Sequence, residues 1–201
     1  TEWNRLDISD PVSGLLLSAR DPTNYARGEP RPEHDLDYFH GAIYVSQGRS
    51  NIVDDGWVWH PVGAPTVWSL DRWVTNNVWE SEDGPTRHTL CVRTYYWDCG
   101  VTWIDDNRVA VGGIGDDDML MIDGVRIFDV SLSRQAGGCA QSARELCAFA
   151  GPAGSFFSDG TWLYSADESG LSRWDARDGA RTGYLAKFTP THHHPRAAEL
   201  V

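Results

Sequence analysis

The sequence predicts an all-β fold assembled from repeated four-stranded antiparallel units. Three observations predict it: short β-prone apolar runs recur along the chain, no window holds a helical period, and one order of strands and turns occurs three times. The clearest copy spans Gly154 to Lys187. Ser155 to Ser158 is apolar and β-prone, and Asp159-Gly160 supplies the positive φ that a two-residue hairpin demands. Thr161 to Ala166 combines Trp162, Leu163 and Tyr164 with small residues, and the acidic loop Asp167-Glu168-Ser169-Gly170 leads into a third strand, Leu171 to Asp175. Asp178-Gly179 opens the fourth, Thr182 to Phe188.

Two upstream copies keep the same order of parts. In the first, Gly41 to Ser46 is followed by the turn Gln47-Gly48, by Ser50 to Val53, by the acidic turn Asp54-Asp55 and by Val67 to Asp71. In the second, Val101 to Ile104 precedes Asp106-Asn107, Val109 to Gly113, the run Asp116 to Asp118 and Val125 to Asp129. Four antiparallel strands in about 35 residues make one blade of a β-propeller. The expected architecture is a single domain, 1–201, with three full blades at 41–95, 101–150 and 154–188 and a split blade formed by 1–20 with 195–201. The chain starts within a third strand and stops within a first, as a piece of a longer propeller would. A ring is then closed either by pairing the two termini or by joining two copies into a homodimer of about eight blades.

Each third strand ends on an aromatic residue followed by Ser or Asp: Trp68-Ser69, Phe128-Asp129 and Trp174-Asp175, with Trp3-Asn4 as a fourth match. On these residues the chain resembles the WD-repeat and related bacterial β-propellers. The resemblance implies a rigid platform that binds another protein or a peptide. It also implies a structural role for His40, which precedes Gly41 where blades of that family often carry a histidine bonded within the blade.

The net charge of −12 argues against general binding to nucleic acid or anionic lipid, whose phosphates the summed field would repel. Basic partners or metal cations suit it better. The chain has no apolar run of about 18 residues to span a membrane, and no export signal is visible. A cytoplasmic location is expected, with export left open. Cys91, Cys99, Cys139 and Cys147 are spaced too widely for a zinc knuckle. Reduced thiols are the expectation, and a Cys91–Cys99 or Cys139–Cys147 disulfide is the alternative for an exported chain.

Blade geometry places the loop between strands two and three on the same face as the loop leading to the next blade. The first set carries Asp54, Asp55, Asp116 to Asp118, Asp167 and Glu168; the second carries His34, His40, Tyr96, Trp97 and His192 to His194. Trp3, Trp68 and Trp174 are expected to pack between blades, whereas Trp57, Trp59, Trp79 and Trp97 lie in loops. The predicted ligand-binding residues are Trp57, Trp59, Tyr96, Trp97, Asp117 and Asp167. Imidazole with carboxylate suits a divalent metal such as zinc, manganese or calcium, with His192, His194, Asp54 and Asp116 as candidate ligands. Trp stacking with carboxylates also suits sugars. The competing reading of the acidic turns is ordinary turn chemistry, in which Asp bonds its own backbone.

No Gly-x-Ser-x-Gly, phosphate-binding glycine loop or His-Glu-x-x-His occurs. The primary expectation is therefore a non-catalytic platform for a protein or peptide. The alternative is a metal-dependent hydrolase of an ester, phosphoester or lactone.

Overall fold

The computed structural model describes residues 4–21, 25–26, 28–131 and 143–192. These form three four-stranded antiparallel sheets and one three-stranded sheet, none closed on itself into a barrel. The chain runs through β1 (Ile43–Val45), β2 (Asn51–Asp54), β3 (Trp57–Val58), β4 (Val62–Gly63) and β5 (Thr66–Ser69), then α1 (Leu70–Thr75), β6 (His88–Thr89) and β7 (Arg93–Thr94). Next come β8 (Val101–Trp103), β9 (Arg108–Ile114), a 3-10 turn (Asp118–Leu120), β10 (Ile122–Asp129) and β11 (Arg144–Ala150). The last sheet is β12 (Ser155–Ser158), β13 (Trp162–Asp167), β14 (Gly170–Asp175) and β15 (Arg181–Ala186). The sheet orders are β1-β2-β5-β6, β8-β9-β10-β11 and β12-β13-β14-β15, so each of the three expected units is an antiparallel meander.

Side chains at equivalent positions hold equivalent turns. Between first and second strands, Ser46 Oγ accepts from Ser50 N and Asn51 N, Asp105 from Asn107 N and Arg108 N, and Asp159 from Thr161 N and Trp162 N. At the ends of the third strands, Ser69 Oγ accepts from Arg72 N, Asp129 from Ser131 N and Asp175 from Arg177 N. The Ser or Asp after the aromatic is thus the residue that turns the chain out of the strand. At Ser69 the same bond caps α1, which is why β5 stops two residues before the expected Asp71.

A second departure lies in the expected strand His88 to Tyr95. Only His88–Thr89 stays beside β5. The inserted hairpin β3–β4 offers a free edge, and Arg93–Thr94 leaves the first sheet to pair with it, Val62 opposite Thr94 and Gly63 opposite Arg93. The result is the three-stranded sheet β3-β4-β7.

The sheets share two apolar cores. Val53, Val67 and Leu90 from the first sheet and its exit meet Val101, Trp103, Val109, Val111 and Phe128 from the second. The second sheet's other face, with Ala110, Val125 and Ile127, packs on Phe156, Leu163 and Trp174 of the third. Trp68, fully buried, and Trp174 both pack in cores as expected. Trp3 lies outside the described residues. On the far side of the first sheet, Leu6 and Ile8 pack against Ile52, Trp68 and Trp73. They belong to a short hairpin in which Ser9 bridges Leu16 and Leu17 N donates to Ile8 O at 2.7 Å. Residues 195–201, expected to complete that hairpin into a blade, lie outside the described residues. No helix among the described residues is long and apolar enough to cross a membrane.

Candidate functional site

The first strands of the three sheets lie side by side, β8 beside both β1 and β12. A cavity of about 630 Å³ opens among them, bounded by Tyr44 of β1, by Phe156 and Phe157 of β12 and by the linker residues Tyr96, Asp98 and Cys99. Thr191, from the segment that follows β15, completes the rim. Two features of the backbone shape it. Gly154 has φ +74°, and a Cβ there would sit 2.1 Å from the carbonyl oxygen of Ala166, so the chain enters β12 only as glycine. Asp98 also takes a positive φ, +54°, a conformation that its short polar side chain tolerates, and its side chain is exposed at the mouth.

Beneath the cavity Arg93 is wholly buried. Its Nη1 donates to Gly112 O at 2.7 Å and lies 2.9 Å from Cys99 Sγ, and its Nη2 lies 3.3 Å from Asp55 Oδ1. Its guanidinium also lies 5.2 Å from the centre of the Tyr96 ring. Burial pushes the Asp55 carboxyl up to about 6, against the opposing pull of Arg93. Burial likewise pushes the Cys99 thiol up to about 11 and raises Cys91 and the phenols of Tyr44 and Tyr96. At neutral pH the floor therefore presents a protonated thiol and protonated phenols, which are hydrogen-bonding groups and poor nucleophiles. Cys91, Cys99 and Cys147 are all free thiols.

The predicted site residues fall into separate groups. Tyr96 lines the cavity, and Trp97 is next to it, 39% exposed. The backbone of the acidic run joins the same linker, since Thr94 N donates to Asp116 O at 2.8 Å and Thr94 bridges Asp117. The Asp116 side chain points into solvent, 3.9 Å from Arg126, while Asp117 accepts from Met119 N at 3.0 Å and caps the 3-10 turn. Asp167 accepts from Ser169 N at 2.7 Å, and its bonds to Ser169 hold its carboxyl below the ordinary carboxylate range.

Asp54 is completely buried. One oxygen lies 2.5 Å from His40 Nδ1 and the other accepts from Gly41 N at 2.9 Å, so this histidine is bonded within its own sheet. His192 is exposed, with Nδ1 2.8 Å from Thr191 Oγ1; His194 lies outside the described residues. Among the described residues no three His, Cys, Asp or Glu side chains stand close enough together to hold a metal ion. Trp57 and Trp59 sit on the three-stranded sheet, Trp57 stacked on Phe39 with ring centres 4.3 Å apart.

Sequence reasoning passed over Tyr44, Arg93, Asp98 and Cys99. The one local signal was Arg93 itself, a charge inside the β-prone run Leu90 to Tyr95, where a buried partner is required. No protein-family model matches the chain, and no curated protein matches it.

Proposed function

We propose that the three meanders are blades of a β-propeller sector and that the chain is a non-catalytic platform for a basic segment of a protein or peptide. The observation that carries this reading is the cavity shared by the three first strands, with exposed Asp98 at its mouth. The repeated turn chemistry supports the blade assignment, because three units with equivalent capping side chains are what a propeller repeat requires. The exposed carboxylates of Asp116, Asp118, Asp167 and Glu168 on neighbouring loops and the net charge of −12 favour a cationic partner, both in encounter and in orientation. The raised thiol and phenols give the cavity floor hydrogen-bonding capacity without a nucleophile.

The test is a titration of the chain with fluorescent Lys/Arg-rich and Asp/Glu-rich peptides of equal length, read by polarisation. Saturable binding of the basic peptide, weakened by salt and by Asp98→Asn, is the expected result. Equal binding of both peptides, or binding of neither, overturns the reading. Light scattering on the same sample decides whether a homodimer completes the ring.

A further inference from the structure

A second cavity, of about 260 Å³, lies away from the first strands. It is formed where the N-terminal hairpin, the segment leading to β1 and the excursion after α1 meet, and its walls include Arg20, Arg31, His34, Asp37, Phe39 and Trp79. We propose that it is a binding site for an uncharged saccharide.

The polar wall is charged but balanced. Arg5 Nε lies 3.1 Å from Asp7, and Arg20 is paired with Glu82 and, at 3.2 Å, with Asp7. Arg31 lies 3.2 Å from Asp35 and 3.6 Å from Asp37, and also donates to Tyr25 Oη at 3.2 Å. His34 is 2.9 Å from Asp83, and His40 is held by Asp54. Each arginine of the wall thus has its counter-charge, so an anionic ligand gains little. What the network offers is a set of donors and acceptors fixed in place by their mutual pairing. Neighbouring hydroxyls, each both donor and acceptor, are the groups that use such an array.

The other wall is aromatic and continues out to solvent. Phe39 lines the cavity, Trp57 stacks on Phe39, and Trp59 follows with its ring centre 6.1 Å from that of Trp57. Trp59 is 65% exposed, at the tip of the inserted hairpin, where His60 turns the chain at φ +109°. Inside the cavity Trp79 is stacked by His34 at 4.2 Å and approached by the Arg20 guanidinium at 5.2 Å. A pyranose has one face of C–H bonds and a rim of hydroxyls. It would place the face on the exposed Trp59 ring, whose centre lies 6.5 Å from that of Phe39 on the cavity wall, and the rim on the ion-pair network.

The probes are maltotetraose, cellotetraose, laminaritetraose and chitotetraose, each titrated by calorimetry and by tryptophan fluorescence. At least one is expected to bind saturably and to perturb tryptophan emission. Trp59→Ala and Arg31→Gln, both at exposed side chains, should each weaken it by about tenfold or more. Trp97→Ala, beside the first cavity, should leave it unchanged. Failure of all four sugars to bind overturns the proposal, as does binding that Trp59→Ala leaves intact in a variant with native circular dichroism. Tighter binding of a uronate tetrasaccharide than of the neutral ones overturns it too, because it would show an uncompensated positive charge.

Discussion

Replacing Asp55 by Asn should stabilise the chain above neutral pH, although Asp55 is the partner of a buried arginine. Two arguments with opposite signs meet at this residue. Removing one member of a buried ion pair ordinarily costs about 3–5 kcal/mol, because the other charge is left alone. The Asp55 carboxyl, however, is pushed from its ordinary 3.8 up to about 6, with burial as the largest cause and Arg93 acting against it. In this pair desolvation therefore wins. The folded chain holds the Asp55 proton more tightly than the unfolded chain, so folding takes up a proton between those two values. The stability that this group contributes is present in full below pH 3.8 and is lost as pH rises towards 6, about 3 kcal/mol in all. Asn reproduces the protonated acid, keeps an oxygen for Arg93 Nη2, and cannot ionise. Asp55→Asn should match the parent near pH 4 and exceed it by up to about 3 kcal/mol at pH 8, or by about 6–12 °C in Tm. Arg93→Met removes the opposing pull and should lose stability with rising pH more steeply than the parent. Urea unfolding between pH 4 and pH 8, followed by tryptophan fluorescence, measures all three. A loss of 3 kcal/mol or more in Asp55→Asn at pH 8 would refute the reasoning and show that Coulomb attraction outweighs burial there.

Three further outcomes are expected. Trp174 Nε1 donates to Ser165 Oγ at 2.9 Å within the third sheet, so Ser165→Ala strands a buried donor and should lower stability by about 1–3 kcal/mol, read from the urea midpoint; a shift below a few tenths sinks the idea. Cys99, with its thiol near 11, should carry about a thousandth of its population as thiolate at pH 8, so iodoacetamide should label it far more slowly in native than in unfolded protein. Chain purified without chelators should hold no stoichiometric zinc, manganese or calcium by elemental mass spectrometry; about one ion per chain, lost in His192→Ala, would turn attention to the hydrolase.

The repeating units were legible because their determinants are local. Ser46, Asp105 and Asp159 each bond backbone two to five residues on, as do Ser69, Asp129 and Asp175, so spacing alone exposes them. The three-stranded sheet was not legible. Its strands are two residues long and it pairs Gly63 with Arg93, and no periodicity registers at that length and separation. The cavity floor escaped for a related reason: Asp55, Arg93 and Cys99 come together only after two sheets have packed. His40 and Asp54 were both noticed, one as structural and one as a ligand, but only the fold brings them to 2.5 Å. The acidic turns illustrate the opposite limit, since Asp117 and Asp167 were conspicuous in the sequence and spend their oxygens on their own loops.

The second sheet packs one face on the first sheet and the other on the third. Alternate residues of β9, Val109 and Val111 on one side and Ala110 on the other, are all fully buried. Amide protons in β9 and β10 can therefore reach water only after a flanking sheet has come away, whereas those of β15, at the outer edge, need only its own detachment. Exchange should follow a gradient along the row of sheets, slowest at the middle. Loosening would then begin at the flanks, while the centre keeps the register of the whole.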